Sequence, residues 1–331
     1  MLLHQHLNVS FPVIMAPMFL VTNEAMLVQG MEAGIMATFP SLNYRDDAKL
    51  NAVLNNLNSY LTNTSNKGSY GINLIVQKSN PYYEKHLKIC VDNKVPFYIT
   101  SLGNPKEVIE KAHSYGAKVY CDVVNVEFAQ KCVDLGCDGL IAVGSGAGGH
   151  AGNNPLQILI PALRHKFPNT PIVAAGGIAN GETLLSMLVL GASGASIGTR
   201  FIACTESGVN DAYKQAVVDA HMDDIVMTSK LSGTPCTIIN TDDARRMGYD
   251  QGWLEKWMSN HPRTKKWFKT LVQLRGFKRL EDSVTPNNYK KLWCAGKSVE
   301  LINSVESVVN IVSTLKQEFA QAQEQVSLIK V

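Results

Sequence analysis

Residues 171–178 read PIVAAGGI, a short apolar, β-rich run that passes directly into Gly176-Gly177. A glycine pair at the end of a strand marks a place where the backbone turns sharply or is approached closely, because glycine gives up more conformational freedom on folding than any other residue. The same design recurs on either side. DGLIAVG (138–144) runs into Gly144-Ser145-Gly146-Ala147-Gly148-Gly149-His150-Ala151-Gly152, and ASIGTRF (195–201) carries Gly198. Three successive strand ends are thus stripped of side chains, and one of them keeps an imidazole.

Upstream the rhythm is the same. FPVIMAPM (11–18), GIMATFP (34–40), SYGINLIV (69–76), VPFYITSLG (95–103) and AKVYCDVV (117–124) read as strands, which makes eight up to about residue 205. Their near-continuous apolar character suits parallel strands covered on both faces. Between them lie amphipathic helical segments. Asn104-Pro105 opens one, with Val108, Ile109 and Ala112 inward and Gly116 at its close. Asn125 opens another, with Phe128, Ala129, Cys132 and Val133 on one face and Gly136 closing; Asn180 opens a third, with Leu184, Leu185 and Leu188 inward and Gly191 closing. Leu156, Leu159, Ile160 and Leu163 fit a further helix, which Pro161 should kink or delay.

Eight strands alternating with helices admit a closed barrel or an open doubly wound sheet. An open sheet would place its glycine fingerprint after the first strand, which here ends in Ala16-Pro17-Met18. The glycines follow strands six to eight, where barrels bind phosphate. The expected fold is therefore α/β, a (β/α)8 barrel of residues 1–205 and 295–331. A more polar stretch, 206–294, reads as a helical insertion or lid after the eighth strand, and 297–322 reads as the last barrel helix, with Val299, Ile302, Val305, Val309, Val312 and Leu315 on one face.

Composition narrows the function. With 45% hydrophobic and 18% charged residues in 331, the chain can bury a large core, and a net charge of +3 is too small to make nucleic acid or membrane the main partner. Cys90, Cys121, Cys132, Cys137, Cys204, Cys236 and Cys294 form no CxxC pair and no zinc spacing. Scattered in this way, they read as reduced thiols of a cytoplasmic protein with no metal. The N-terminus MLLHQHLNVSFPVIMAPM lacks a charged region followed by an apolar stretch, and no signal peptide is expected. The expected partners are a small-molecule substrate and, at most, a second copy in a homodimer.

In a barrel the loops after strands six, seven and eight are neighbours. Backbone N–H groups at Gly176-Gly177 and at Ser196, Ile197, Gly198 and Thr199 would then form a nest for a dianionic phosphate, and FMN, which ends in a monophosphate, fits better than a dinucleotide. The alternative is that these glycines only turn the chain. His150 could exchange protons near neutrality or serve as a structural hydrogen-bonding residue. Asn73 offers an amide to a polar ring edge. Lys118 either puts a cation in the barrel mouth, stabilising charge on a reduced flavin, or snorkels at the strand start. HPRTKKWFKTLVQLRGFKRL (261–280) holds seven Lys/Arg and no acid; it reads as a helical lid, an entrance for anionic substrates, or a nucleic-acid patch.

Met15-Ala16-Pro17-Met18, Gly71-Ile72-Asn73-Leu74, the AGGHAG end of the loop, PIVAAGGIANGE and IGTRFIACTES together resemble the nitronate monooxygenase family over about residues 11–245, and LWCAGKSVELI (292–302) resembles its C-terminal segment. The resemblance implies FMN contacts at Met18, Asn73, Lys118, Gly177 and Ser196 to Thr199, with Gly149 and Gly176 added, and a catalytic role for His150. It implies electron transfer from an alkyl nitronate to flavin, reaction with O2, and release of nitrite and a carbonyl compound. The same superfamily includes NAD(P)H-dependent enoyl-acyl-carrier-protein and quinone reductases. Where the nitronate group usually carries glutamate before AGGH, this chain has Gly146.

Overall fold

Parallel pairing closes the apolar runs into a cylinder. The computed structural model describes residues 1–64, 68–77, 79–230, 235–250 and 292–329. Its strands are β1 (Val13–Met15), β2 (Met36–Pro40), β3 (Ser69–Ile75), β4 (Phe97–Ser101), β5 (Lys118–Val123), β6 (Gly139–Val143), β7 (Gly149–His150), β8 (Ile172–Ala175), β9 (Gly194–Ile197), β10 (Ile225–Thr228) and β11 (Cys236–Ile239). The barrel runs β1-β2-β3-β4-β5-β6-β8-β9, and Val13 pairs with Ala195 to shut it. The chain is an α/β barrel of eight parallel strands, as its sequence pattern predicts.

Alternation explains why these strands read as apolar throughout, since successive side chains point to opposite faces and both faces are covered. Ile14, Met36, Phe97, Ile99, Tyr120, Ile141 and Val173 cluster inside the cylinder. Their strand neighbours, among them Val13, Ala37, Tyr98, Val119, Leu140 and Ile172, pack outward against the helices. One end of the interior is plugged. Leu3 and Leu7 of the short helix Leu3–Leu7 belong to the inner cluster, and His6 Nδ1 lies 2.6 Å from the Tyr120 hydroxyl. The Leu3 amide donates to Ser193 just before β9, so the plug sits at the strands' N-terminal ends and leaves the C-terminal ends as the mouth.

The helix punctuation holds at three asparagines. Asn125 accepts from the Phe128 amide (2.9 Å), Asn180 from the Thr183 amide (3.0 Å), and Asn104 from the Lys106 amide (2.9 Å), although the helix begins at Lys106, one residue beyond Pro105. Leu156–Lys166 is a helix that carries Pro161 inside it, with Leu156, Leu159, Ile160 and Leu163 buried. Phe128 departs from expectation: 52% exposed, it lies beside the Lys131 ammonium while Ala129 takes the buried position. In Gly181–Val189 it is Leu184 and Met187 that face inward, with Leu185 and Leu188 only half-buried.

Two further differences lie after the eighth strand. The described part of 206–294 is not purely helical, because it holds β10 and β11 beside the helices Asp211–Asp219 and Asp242–Met247. Those strands form a small antiparallel sheet with β7, so the stretch is tied by its backbone to the loop that bears His150. The basic segment 261–280 lies outside the described residues. The expected helix over 297–322 begins later: Lys297–Leu301 is a 3-10 turn, and the long helix spans Val308–Ser327, capped by Ser307. What intervenes is a docking segment. Arg200, only 7% exposed, donates Nη2 to Glu306 (2.7 Å) and Nη1 to the Ser304 carbonyl (3.0 Å), and Glu206 accepts from the Val308 amide. Among the described residues no helix is long and apolar enough to cross a membrane, and no cluster of His, Cys, Asp and Glu could hold a metal.

Removing the carboxylate from this clamp leaves the guanidinium desolvated without its counter-charge. Glu306→Gln is expected to lower unfolding free energy by about 1–3 kcal/mol, less than a fully buried pair because Glu306 is partly solvated. Urea denaturation checks this; a change under about 0.5 kcal/mol would place the pair among ordinary surface bridges.

Candidate active site

The mouth is framed by the loops that follow β6, β8 and β9, and its glycines divide into two kinds. At the first kind a side chain would strike protein. A Cβ at Gly144 would lie 2.6 Å from Leu156 Cγ, at Gly148 2.7 Å from the Gly296 nitrogen, at Gly152 2.2 Å from the Val143 carbonyl oxygen, and at Gly176 2.6 Å from the Ala147 nitrogen. Gly144 makes room for the Leu156 side chain and Gly152 for the end of β6, while Gly148 and Gly176 let the β6 loop lie against the Gly296 backbone and the end of β8. At the second kind there is space. Gly149 (φ +70°) and Gly177 (φ +73°) have nothing within 4 Å of a built Cβ, and at Gly198 the nearest atoms, Ala16 Cβ and Met18 Sδ, stand 3.6 and 3.7 Å away.

Most of the residues singled out from the sequence gather at this end. Met18 follows β1 and meets Gly198, while its amide donates to Thr22 Oγ1 (3.1 Å). Ser196 is buried; Ile197 turns its side chain outward into the helix layer, so only its backbone faces a ligand. The Thr199 hydroxyl already accepts from the Gly296 amide (3.0 Å), but the first amides of the short helix Thr199–Ile202 have no acceptor within their helix. With Gly176-Gly177 beside them, these groups leave one side of the mouth lined largely by backbone.

His150 ends β7, where it pairs with Cys236 of β11 as Gly149 pairs with Thr237. The Thr237 hydroxyl also donates to the Ala147 carbonyl (2.7 Å) and fixes the loop from above. The imidazole is exposed, yet the protein crowded around it displaces enough water to lower its pKa below the usual value. It therefore favours the neutral, base-competent form.

Across the mouth the inner wall is polar. Asn73 on β3 is buried, and its Nδ2 donates to Ser101 Oγ (2.8 Å) and to the Ile99 carbonyl (3.2 Å). Ser101 on β4 in turn donates to Asp122 Oδ2 (2.5 Å). Asp122 stands two residues beyond Tyr120 on β5 and so faces the same interior. Burial pushes its carboxyl up to about 6, against the opposing effect of the Ser101 hydrogen bond. Asp122 and Ser101 were not foreseen. The available signal was an acid at the C-terminal end of an otherwise apolar strand, on the face of Tyr120.

Lys118 does not join the site. As the first residue of β5, paired with Phe97 at the start of β4, it lies at the plugged end of the barrel. There its Nζ binds Asp138 (2.9 Å), which His113 and the Val119 amide also reach. The expectation of a cation in the mouth is corrected to an ion pair at the strand starts.

The chain is a closed parallel (β/α)8 barrel whose strand ends carry exposed backbone, an imidazole and a half-buried acid. The chain belongs to the nitronate monooxygenase family, whose pattern matches residues 52–318. It is 33% identical over 181 residues to a probable nitronate monooxygenase of Staphylococcus saprophyticus, covering 51% of each chain. It is 30% identical to a (3aS,4S,5R,7aS)-5-hydroxy-7a-methyl-1-oxo-octahydro-1H-indene-4-carboxyl-CoA dehydrogenase of Rhodococcus jostii, covering 55% of this chain and 50% of that one. The chain thus spans about half the length of the curated relatives it matches. Among solved structures, FabK from Thermotoga maritima superposes with a TM-score of 0.83 at 26% identity, covering 98% of this chain and 97% of that one. A nitroalkane oxidase of Streptomyces ansochromogenes, at 21% identity and a TM-score of 0.79 over 96% of this chain and 98% of that one, shares the fold.

The two kinds of glycine should respond differently to a methyl group. Gly148→Ala, which drives Cβ into the Gly296 backbone, is expected to cost about 2–3 kcal/mol of stability. Gly149→Ala meets open space and suffers only its left-handed backbone, about 1 kcal/mol. Urea titrations of both variants give the order; the reverse order would show that the loop is not braced at Gly296.

Proposed function

We propose that the enzyme oxidises alkyl nitronates, and neutral nitroalkanes through them, with O2, releasing nitrite and a carbonyl compound. The observation that carries this reading is His150, fixed on the β6 loop at the mouth by the β7–β11 pairing, with its pKa lowered by burial. The residues present fit FMN. Gly177 and Gly149 leave space where a side chain would stand, Gly198 and the amides at Thr199 would take the phosphate, and Gly176, Ser196 and Ile197 contribute backbone. Met18 and Asn73 would border the ring. When bound, the flavin supplies the electron acceptor.

The protein's own groups do the rest. A neutral nitroalkane has an acidic α-carbon, and His150 would take that proton as general base. For a substrate already ionised, His150 would orient the anion. The packed Gly148–Gly296 contact and the inner cluster below would keep bulk water from the reacting carbon.

A second reading is NAD(P)H-driven reduction of an enoyl thioester or quinone. It is favoured by Gly146, which stands where the nitronate group usually carries glutamate, and it needs no proton abstraction from carbon.

Aerobic addition of propyl-2-nitronate to the flavin-loaded protein should consume O2 well above the rate with free flavin, and anaerobic NADH or NADPH should leave the visible flavin absorbance intact. Rapid bleaching by NAD(P)H without nitronate-dependent uptake would reverse the choice. His150→Ala should retain flavin and lose about 10²–10⁴-fold in kcat/KM on neutral nitroalkanes. In the parent enzyme the acid limb of that profile should lie below the usual imidazole value of about 6.5.

A further inference from the structure

We propose that Cys236 and Cys294 form an oxidisable dithiol, and that the disulfide a peroxide makes of them displaces His150 and reversibly slows turnover. The effect on turnover rests on His150 acting as the functional reading has it; the oxidation site itself does not.

Three observations carry it. The first is contact. The two sulfurs, 58 residues apart in sequence, lie 3.8 Å from each other. Cys294 bridges Ile238 in antiparallel fashion, and Ile238 is two residues along β11 from Cys236. Both thiols therefore stand on one face of the small sheet as diagonal neighbours, and side-chain rotation can bring them to the disulfide length of about 2.05 Å. The second is the unlike character of the two sulfurs. Cys236 is buried, and its hydrogen bond with Cys294, together with that burial, holds its thiol well above the ordinary range. Cys294 is half-buried, so a small oxidant in solution meets it first.

The third is what the pair joins. Cys236 sits directly opposite His150 in the β7–β11 pairing. Cys294 stands two residues before Gly296, and a Cβ on Gly296 would lie 2.7 Å from the Gly146 carbonyl oxygen and 2.8 Å from the Gly148 nitrogen. A bond between the sulfurs draws β11 and the 294–296 segment together across packing that has no slack, and the loop bearing His150 must take up the movement. Cys121, Cys132 and Cys137 are also in mutual contact, but they lie between β5 and the helix that follows it, in the outer layer of the barrel.

The chemistry balances with hydrogen peroxide as oxidant. The Cys294 sulfur attacks one peroxide oxygen; an S–O bond forms, the O–O bond breaks, and a sulfenic acid and one water result. The Cys236 sulfur then attacks the Cys294 sulfur. The S–S bond forms, the S–O bond breaks, and the departing hydroxide leaves with the Cys236 proton as a second water. Two thiols have lost two electrons and two protons, and a dithiol reductant restores them by exchange.

The test treats the flavin-loaded protein with hydrogen peroxide, removes the excess, and compares each protein with its own untreated sample. Peptide mapping without reductant should find Cys236 joined to Cys294, and dithiothreitol should part them. Nitronate-dependent O2 uptake should fall about tenfold or more and recover with dithiothreitol, because a misplacement of about 1 Å can cost about 10²-fold. Cys294→Ser should keep its untreated rate. A cross-link without loss of rate, an equal loss in Cys294→Ser, a bond confined to Cys121 and its neighbours, or thiols that stay free would overturn the proposal. Should Cys294→Ser fail to fold, NMR of labelled histidine in the parent protein decides. The His150 ring signals, assigned by their absence from His150→Ala, should move on oxidation and return on reduction; unmoved signals count against the proposal. If the cross-link forms, the His150 signals move and no nitronate is oxidised in either state, the functional reading fails alone. If nitronate is oxidised and the sulfurs stay free, the dithiol fails alone.

Discussion

In the mouth, backbone meets backbone at Gly148, where Gly296 and the Thr199 hydroxyl leave no room for a side chain. Most of the site follows from that contact. The segment from Cys294 to Gly296 holds the β6 loop against β8 and β9, and the Tyr213 hydroxyl steadies it by donating to the Cys294 carbonyl (2.6 Å). With the loop fixed from both sides, β7 can pair with β11, and His150 acquires a defined position instead of swinging on a string of glycines. The entropy that five glycines surrender between Gly144 and Gly152 is offset by this packing more than by any intrinsic preference for the turn.

The mouth then has two unlike walls. On the side of β8 and β9, peptide N–H groups and a short helix start present partial positive charge without a titratable group, so that side keeps its character at any pH. On the side of β3 to β5, a carboxyl with one hydrogen-bond donor changes its charge within the range where enzymes work. His150 enters from a third direction on a strand outside the barrel, and burial lowers its proton affinity while burial raises that of Asp122. Desolvation alone thus moves a base and an acid in opposite directions toward uncharged forms.

How much of this the sequence carries depends on which physical rule each residue obeys. The barrel was legible because parallel strands buried on both faces read as unbroken apolar runs, and their number and glycine placement distinguish a closed cylinder from an open sheet. Helix starts were legible at Asn125 and Asn180 because a side-chain cap is a local interaction. Where tertiary contacts decide, periodicity misleads. Val299, Ile302 and Val305 match a helical spacing, yet Arg200 pulls the chain between them and Val308 into an extended path that satisfies a buried guanidinium. Phe128 fits a helical stripe but lies at its edge, against Lys131, and the barrel surface there needs only Ala129. The glycine loop was read as cleared for a ligand, and at Gly144, Gly148 and Gly152 it is cleared for the protein itself.

Lys118 and Asp122 show how small the difference between a right and a wrong assignment can be. They are four residues apart on one strand, and an even spacing puts both on the face of Tyr120, toward the barrel axis. At about 3.3 Å per residue the strand separates them by roughly 13 Å. A barrel interior of that depth is filled with Tyr120, Ile141 and Val173, so its two ends do not share an electrostatic environment. At the start of β5 a lysine finds Asp138 and an opening to water; at the end of β5 an aspartate finds a serine and the mouth. The face of a strand can be read from alternation, but its direction relative to the barrel decides which charge stands at the mouth, and on β5 that charge is an acid's.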